Sequence, residues 1–160
     1  MAASLHAELL RRSATIGTAE SLTGGDLSSL MTATPGASET YRGGVVAYVT
    51  AVKRDVLGVS EETLTSYGAV SAECASEMAS GVRSVLGADY AVSTTGVAGP
   101  ADQEGKPVGL VFIAIAGPDG VVTKELRLDG DREQIRAQAC VEALLAALAT
   151  IVEFGVEAGD

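Results

Sequence analysis

The sequence contains a single histidine, His6, and only two cysteines, Cys74 and Cys140. His6 lies in an N-terminal segment, well ahead of every glycine-rich motif, which disfavours a Ser-His-Asp triad. Clustered His and Cys ligands for zinc are equally scarce. Both cysteines fall on apolar helical faces and read as buried, reduced thiols, the pattern of a cytoplasmic protein. Trp is absent and Phe occurs twice, so the core must come from Ala, Val, Leu and Ile. No unbroken apolar run approaches the roughly 20 residues of a membrane span. The opening MAASLHAELLRR lacks the basic start and long apolar stretch of a secretory signal and reads as a short amphipathic helix. Basic residues are short as well: 11 Lys and Arg stand against 21 Asp and Glu, a formal charge of −10. This balance argues against nucleic acid or membrane partners, yet a local basic pocket could hold a phosphate.

What is present fits one domain over residues 1–160, 47% hydrophobic and rich in turns with its 19 glycines. A β-branched run at 14–19 predicts a buried strand, followed by a helix over 23–32 with Leu27, Leu30 and Met31 inward. A second strand is expected over 41–49, then a short helix capped by Thr50 and carrying Lys53. Cys74, Ala75, Met78, Val82, Val85 and Leu86 recur at helical spacing from Ser71 to Leu86, and Gly87 stops that helix. Residues 90–95 predict a third strand and the apolar 108–116 a central one. The turn Gly117-Pro118-Asp119-Gly120 leads to an antiparallel partner over 121–128. Asp131 and Gln134 form a capping box for a long last helix. Its inner face is expected from Ile135, Ala139, Leu144, Leu145, Leu148, Ile151 and Val152. Strands alternating with helices predict a single three-layer α/β/α domain around a mixed, mainly parallel β-sheet.

In such sheets ligands bind beyond the carboxyl ends of the strands. Three loops there carry unusual residues. The first, TAESLTGG at 18–25, places Ser21 where a strand ends and a glycine-rich turn opens a helix. Helix-start N–H groups lack intrahelical partners and favour an anion, so a hydroxyl beside them is half of an acyl-transfer site. The same pattern fits a Ser21 or Thr23 that merely caps the helix, with Glu20 orienting a neighbour or facing solvent. With imidazole unavailable, the base for a serine nucleophile would be lysine or tyrosine. The second loop offers both, Tyr48 and Lys53. Lys53 in the first turns of a helix would have its pKa lowered by the helix field and by burial, the property a lysine base needs. A surface lysine beside a core tyrosine fits equally. The third loop holds Thr94, Thr95, Gly96, Gly99 and Pro100, either a ligand-contacting turn or an ordinary one. Arg132 opens the last helix, where a phosphate contact is one reading.

In order along nearly the whole chain, TAESLTGG (18–25), GGVVAYVTAVKRDVLGV (43–59), YGAVSAECASEMASG (67–81), TTGVAGP (94–100), GKPVGLVFIAIAGPDG (105–120) and Gly-Asp-Arg (130–132) resemble the CinA C-terminal domain family. Stand-alone members of that family include nicotinamide mononucleotide deamidases. The resemblance implies hydrolysis of the carboxamide of nicotinamide mononucleotide to nicotinate mononucleotide and ammonia, with no metal or other cofactor. It implies Ser21 as nucleophile, Lys53 as base and Tyr48 as a hydrogen-bonding partner of the pair. Thr23, Gly24, Gly25, Thr95 and Gly96 would line the pocket and Arg132 would bind phosphate. It also implies a homodimer or higher homo-oligomer with a small-molecule nucleotide as substrate. Where members usually read Tyr-Ser-Asn and then Glu-Ala-Lys, this chain reads Tyr48-Val49-Thr50-Ala51-Val52-Lys53. The other function weighed on that difference is a non-catalytic nucleotide- or partner-binding module of the same fold.

Overall fold

Alternation along β1 (Ile16–Glu20) decides the layering: all five residues are buried, and successive side chains enter opposite sides of the sheet. Ile16 joins a core with Leu5 and Leu9 of α1 (Ala2–Arg11), Leu27 and Met31 of α2 (Asp26–Thr32) and Ile135, Ala139 and Ile151 of α6 (Arg132–Phe154). Ala19 joins the opposite core with Cys74, Met78 and Val82 of α5 (Ala72–Leu86). Helices thus cover both faces, as the strand–helix alternation predicts. The computed structural model describes residues 1–154, without the Phe154 side chain.

The five-stranded sheet has the order β2-β1-β3-β4-β5, with β2 at Tyr41–Val46, β3 at Tyr90–Gly96, β4 at Leu110–Gly117 and β5 at Gly120–Arg127. β1 runs parallel to both β2 and β3, whereas β4 is antiparallel to β3 and β5. β4 alone therefore opposes the common direction: the sheet is mixed and mainly parallel. On the α5 side, Ala75 and Ala79 meet Ala114 and Ala116 of β4, so small side chains let helix and sheet approach closely.

Several boundaries differ from the sequence pattern for identifiable reasons. The second strand stops at Val46 rather than 49, because Ala47 and Tyr48 turn their carbonyls toward Lys53. α3 (Thr50–Asp55) starts with Thr50 as a helical residue and has no side-chain cap. Ser60, by contrast, caps α4 (Glu61–Ser66) by accepting from the Thr63 N–H. Asp131 and Gln134 form the expected reciprocal box, each side chain bonding the other's N–H at 2.9 Å. Leu30, Leu145 and Val152, which the helical spacing places inward, are exposed, since each helix meets the sheet through a narrower stripe than its apolar content suggests. By length and composition α6 could cross a bilayer although no unbroken apolar run does. Its Ile135, Ala139, Ala143, Ala147 and Ile151 instead form the first core, marking it as a core helix.

α2 begins three residues later than the sequence suggests, at Asp26, because Gly24 and Gly25 adopt left-handed φ values of 61° and 107°. This turn folds the helix start over Glu20, whose side chain is fully buried. One carboxylate oxygen accepts from Thr23 Oγ1 at 2.7 Å and from the Gly25 and Leu27 N–H groups at 3.0 Å. The other accepts from the Ser28 N–H at 2.8 Å and Ser28 Oγ at 2.5 Å. A negative charge against a helix N-terminus is favourable, and charged acceptors make the stronger hydrogen bonds. Glu20→Leu leaves these donors without a buried acceptor and is expected to cost about 3 kcal/mol or more. Urea unfolding checks this: an unshifted midpoint would mean that the donors find equivalent partners without the carboxylate.

Candidate active site

The ends of β1 and β3, the loop after β2 and the start of α6 enclose a cavity of about 210 Å³. Ser21, Tyr48, Lys53, Thr95, Gly96 and Arg132 all line it. Lys53 Nζ lies 2.9 Å from Ser21 Oγ, and the two residues are 2% and 9% exposed. The same nitrogen donates to Ala47 O at 2.7 Å and, more weakly, to Tyr48 O at 3.5 Å. A neutral amine has two N–H bonds and one lone pair. With two carbonyls taking the N–H bonds, the lone pair is left for the Ser21 hydroxyl proton, the arrangement a base requires.

Burial pushes the Lys53 pKa below its ordinary 10.5, while negative charge at Cys74 and Glu104 acts in the opposite sense. Cys74 adds little of that charge near neutrality, because burial pushes its own thiol up to about 11. The helix field invoked from the sequence is not the cause. Lys53 sits in the last turn of the six-residue α3, so desolvation is what favours the neutral amine.

Tyr48 takes a different place from the one expected. Its hydroxyl accepts from Arg132 Nη2 at 2.9 Å, and only its main-chain carbonyl approaches Lys53. Arg132 Nη1 also donates to Gly99 O at 2.7 Å, so one guanidinium joins the second and third loops at the cavity mouth. Thr95 Oγ1 donates to Ala69 O at 2.6 Å, which leaves the hydroxyl oxygen as an acceptor for a ligand. At Gly96 a Cβ would lie 2.7 Å from Leu110 O, so the close pairing of β3 with β4 requires glycine there.

Thr23, Gly24 and Gly25 do not line the cavity, contrary to expectation. Thr23 Oγ1 is fully buried between Glu20 and Thr94 Oγ1, at 2.7 and 2.8 Å. The Gly25 N–H points at Glu20, and the Gly24 N–H bonds Ser21 O at 3.1 Å. The anion at the start of α2 is thus the chain's own carboxylate. Arg136 escaped the sequence reading, although its position one turn beyond Arg132 puts both on one helical face. Its guanidinium reaches Leu22 O, Thr23 O and Asp26. Among the described residues, no group of three or more His, Cys, Asp or Glu is placed to hold a metal ion.

The Lys53 environment has a consequence for stability. Between its lowered native pKa and 10.5, the unfolded state binds more protons than the native state, so stability contributed at this position rises with pH across that window. Lys53→Met removes the dependence. The difference between the urea midpoints of variant and wild type should change with pH, the wild type gaining on the variant as pH rises from neutrality toward 10.5, on top of a constant offset from the lost bonds to Ala47 O and Ser21 Oγ. A difference independent of pH would mean that Lys53 keeps an ordinary pKa.

The chain is similar to known proteins over most of its length. The family model described as "CinA C-terminal domain" matches residues 1–151. A "CinA-like protein" of Frankia casuarinae is 57% identical over 136 residues, covering 85% of this chain and 31% of that protein. A "Putative competence-damage inducible protein" of Desulforamulus reducens is 49% identical over 130 residues, covering 81% of this chain and 32% of the relative. The chain therefore spans about a third of the length of these curated relatives. Among solved structures, a competence-damaged protein (CinA) superfamily protein from Klebsiella pneumoniae superposes with a TM-score of 0.92 at 35% identity, covering 95% of this chain and 96% of that one. The competence/damage inducible protein CihA from Agrobacterium tumefaciens gives 0.87 at 39% identity, covering 92% and 93%. With the family's motifs in order, its profile matched over nearly the whole length and its fold reproduced, this chain belongs to the CinA C-terminal domain family.

Proposed function

We propose that the domain is an amidohydrolase that converts nicotinamide mononucleotide to nicotinate mononucleotide and ammonia, acting in the cytoplasm as a homo-oligomer. The observation that carries this reading is the buried Lys53 Nζ at 2.9 Å from Ser21 Oγ, on the wall of a cavity with an arginine at its mouth. The family resemblance supplies the substrate.

In the reaction, Ser21 Oγ attacks the carboxamide carbon and its proton passes to neutral Lys53. The C–O bond forms as the amide C=O becomes an oxyanion. Collapse of this intermediate breaks the C–N bond, and the Lys53 ammonium gives its proton to the departing nitrogen, which leaves as ammonia. Water then attacks the acyl enzyme. Lys53 takes a proton from that water and returns it to Ser21 Oγ as the carboxylic acid is released. No step calls on a metal. Arg132, held by Tyr48 Oη and Gly99 O, faces the cavity with a fixed positive charge suited to the nucleotide phosphate. Tyr48 in this scheme orients Arg132 and takes no proton from the dyad.

Purified protein incubated with nicotinamide mononucleotide should release ammonia and nicotinate mononucleotide. Ser21→Ala and Lys53→Met should each lower kcat about a thousandfold or more. Arg132→Met should raise KM about tenfold or more with a smaller change in kcat. The kcat/KM profile should rise with pH through a limb that falls below the 10.5 of an ordinary lysine, since the base works only when neutral. Turnover that survives Ser21→Ala would remove the nucleophile from this scheme. Tight nucleotide binding without turnover would establish the binding module instead, the reading favoured by the apolar and exposed Val49 beside the mouth.

A further inference from the structure

We propose that Arg136 is a positioning residue that presents the Leu22 amide as the oxyanion donor, a role that rests on Ser21 being the nucleophile. Residues 21–24 form a tight turn in which Ser21 O accepts from the Gly24 N–H at 3.1 Å. In a trans peptide the N–H points opposite to the C=O. The Ser21 carbonyl faces into the turn, so the Leu22 N–H faces out of it, next to Ser21 on the cavity wall. Among the described residues nothing accepts a hydrogen bond from it. The donors at the start of α2 are unsuited to this task, because Glu20 already occupies them.

An N–H serves a developing oxyanion only if its peptide is held before the charge appears. Arg136 supplies that restraint from α6. Its Nε donates to Leu22 O at 3.0 Å and its Nη2 to Thr23 O at 3.1 Å, and Nη2 also pairs, at the solvent side, with the exposed Asp26 carboxylate at 2.7 Å. Two successive carbonyls are thereby drawn away from the cavity, whose lining does not include Arg136. Without this grip either carbonyl could rotate toward the reacting centre, where its partial negative charge would oppose the oxyanion. The absence of a side chain at Gly24 keeps the approach open, since a Cβ there would lie 3.3 Å from Arg136 Nη2.

Phosphonylation of Ser21 by a fluorophosphonate develops negative charge on the phosphoryl oxygen and needs no knowledge of the natural amide. In this step Ser21 Oγ bonds to phosphorus, fluoride leaves, and Lys53 takes the hydroxyl proton. Labelling rates for wild type, Arg136→Met, Arg136→Lys and Asp26→Asn are followed by intact mass across pH. Arg136→Met should be slowed about 10- to 100-fold with the pH midpoint of the labelling limb unchanged, because Lys53 is untouched. Arg136→Lys, which cannot span both carbonyls, should be slowed at least about fivefold and carries the test if the Met variant does not fold. Asp26→Asn keeps both carbonyl bonds and should stay within about threefold of wild type. Equal rates for wild type and the Arg136 variants would overturn the proposal, as would an Asp26→Asn defect matching theirs, which would assign the effect to anchoring α2. A wild type left unlabelled at Ser21 would instead defeat the nucleophile reading, and this proposal with it.

Discussion

A carboxylate with no exposed surface must find hydrogen-bond donors inside the protein, and Glu20 meets that demand at the end of β1. Its side chain gathers the start of α2, and its main-chain oxygen accepts from the Ala47 N–H at 2.8 Å. The first contact sets the turn that carries Ser21. The second sets the residue whose carbonyl receives Lys53. One side chain and its own peptide therefore fix the loops that bring Ser21 and Lys53 together, although Glu20 bonds neither Ser21 Oγ nor Lys53 Nζ.

Lys53 completes the site by a balance of opposite tendencies. Removing an amine from water favours its neutral form, and two carbonyls give its N–H bonds a direction. The result is a buried amine whose neutral form is favoured, in a chain with a single histidine. The cavity mouth works by charge. On a protein with an excess of acidic residues, Arg132 sets a local positive field between Tyr48 and Gly99, and Arg136 holds the first loop from the next turn of the same helix.

The arrangement also separates the tasks of the three crevice loops. The loop after β1 carries Ser21, the loop after β2 leads into the helix that carries Lys53, and the loop after β3 forms the opposite wall. α6 braces all three through arginines spaced four residues apart. A long core helix with one face in the hydrophobic core can thus hold polar loops in register at its N-terminal end.

Burial periodicity is a local property, and residues that share a helix face or strand side identify themselves by spacing alone. The order of strands and helices along the chain and both buried thiols were legible for that reason, the Asp131–Gln134 cap was legible from its spacing, and Ser21 and Lys53 stood out by residue type in their loops. Their proximity followed from placing both loops at the carboxyl edge of one parallel sheet. Hydrogen-bond partnership is a different kind of fact, because it depends on direction in space among groups distant in the chain. Only the tertiary structure could decide that Glu20 fills the anion site at α2, that Thr23 turns inward to it, that Tyr48 answers to Arg132, and that Arg136 reaches Leu22. In each case several donors and acceptors of equal chemistry stood within the reach of the sequence pattern, and packing selected among them.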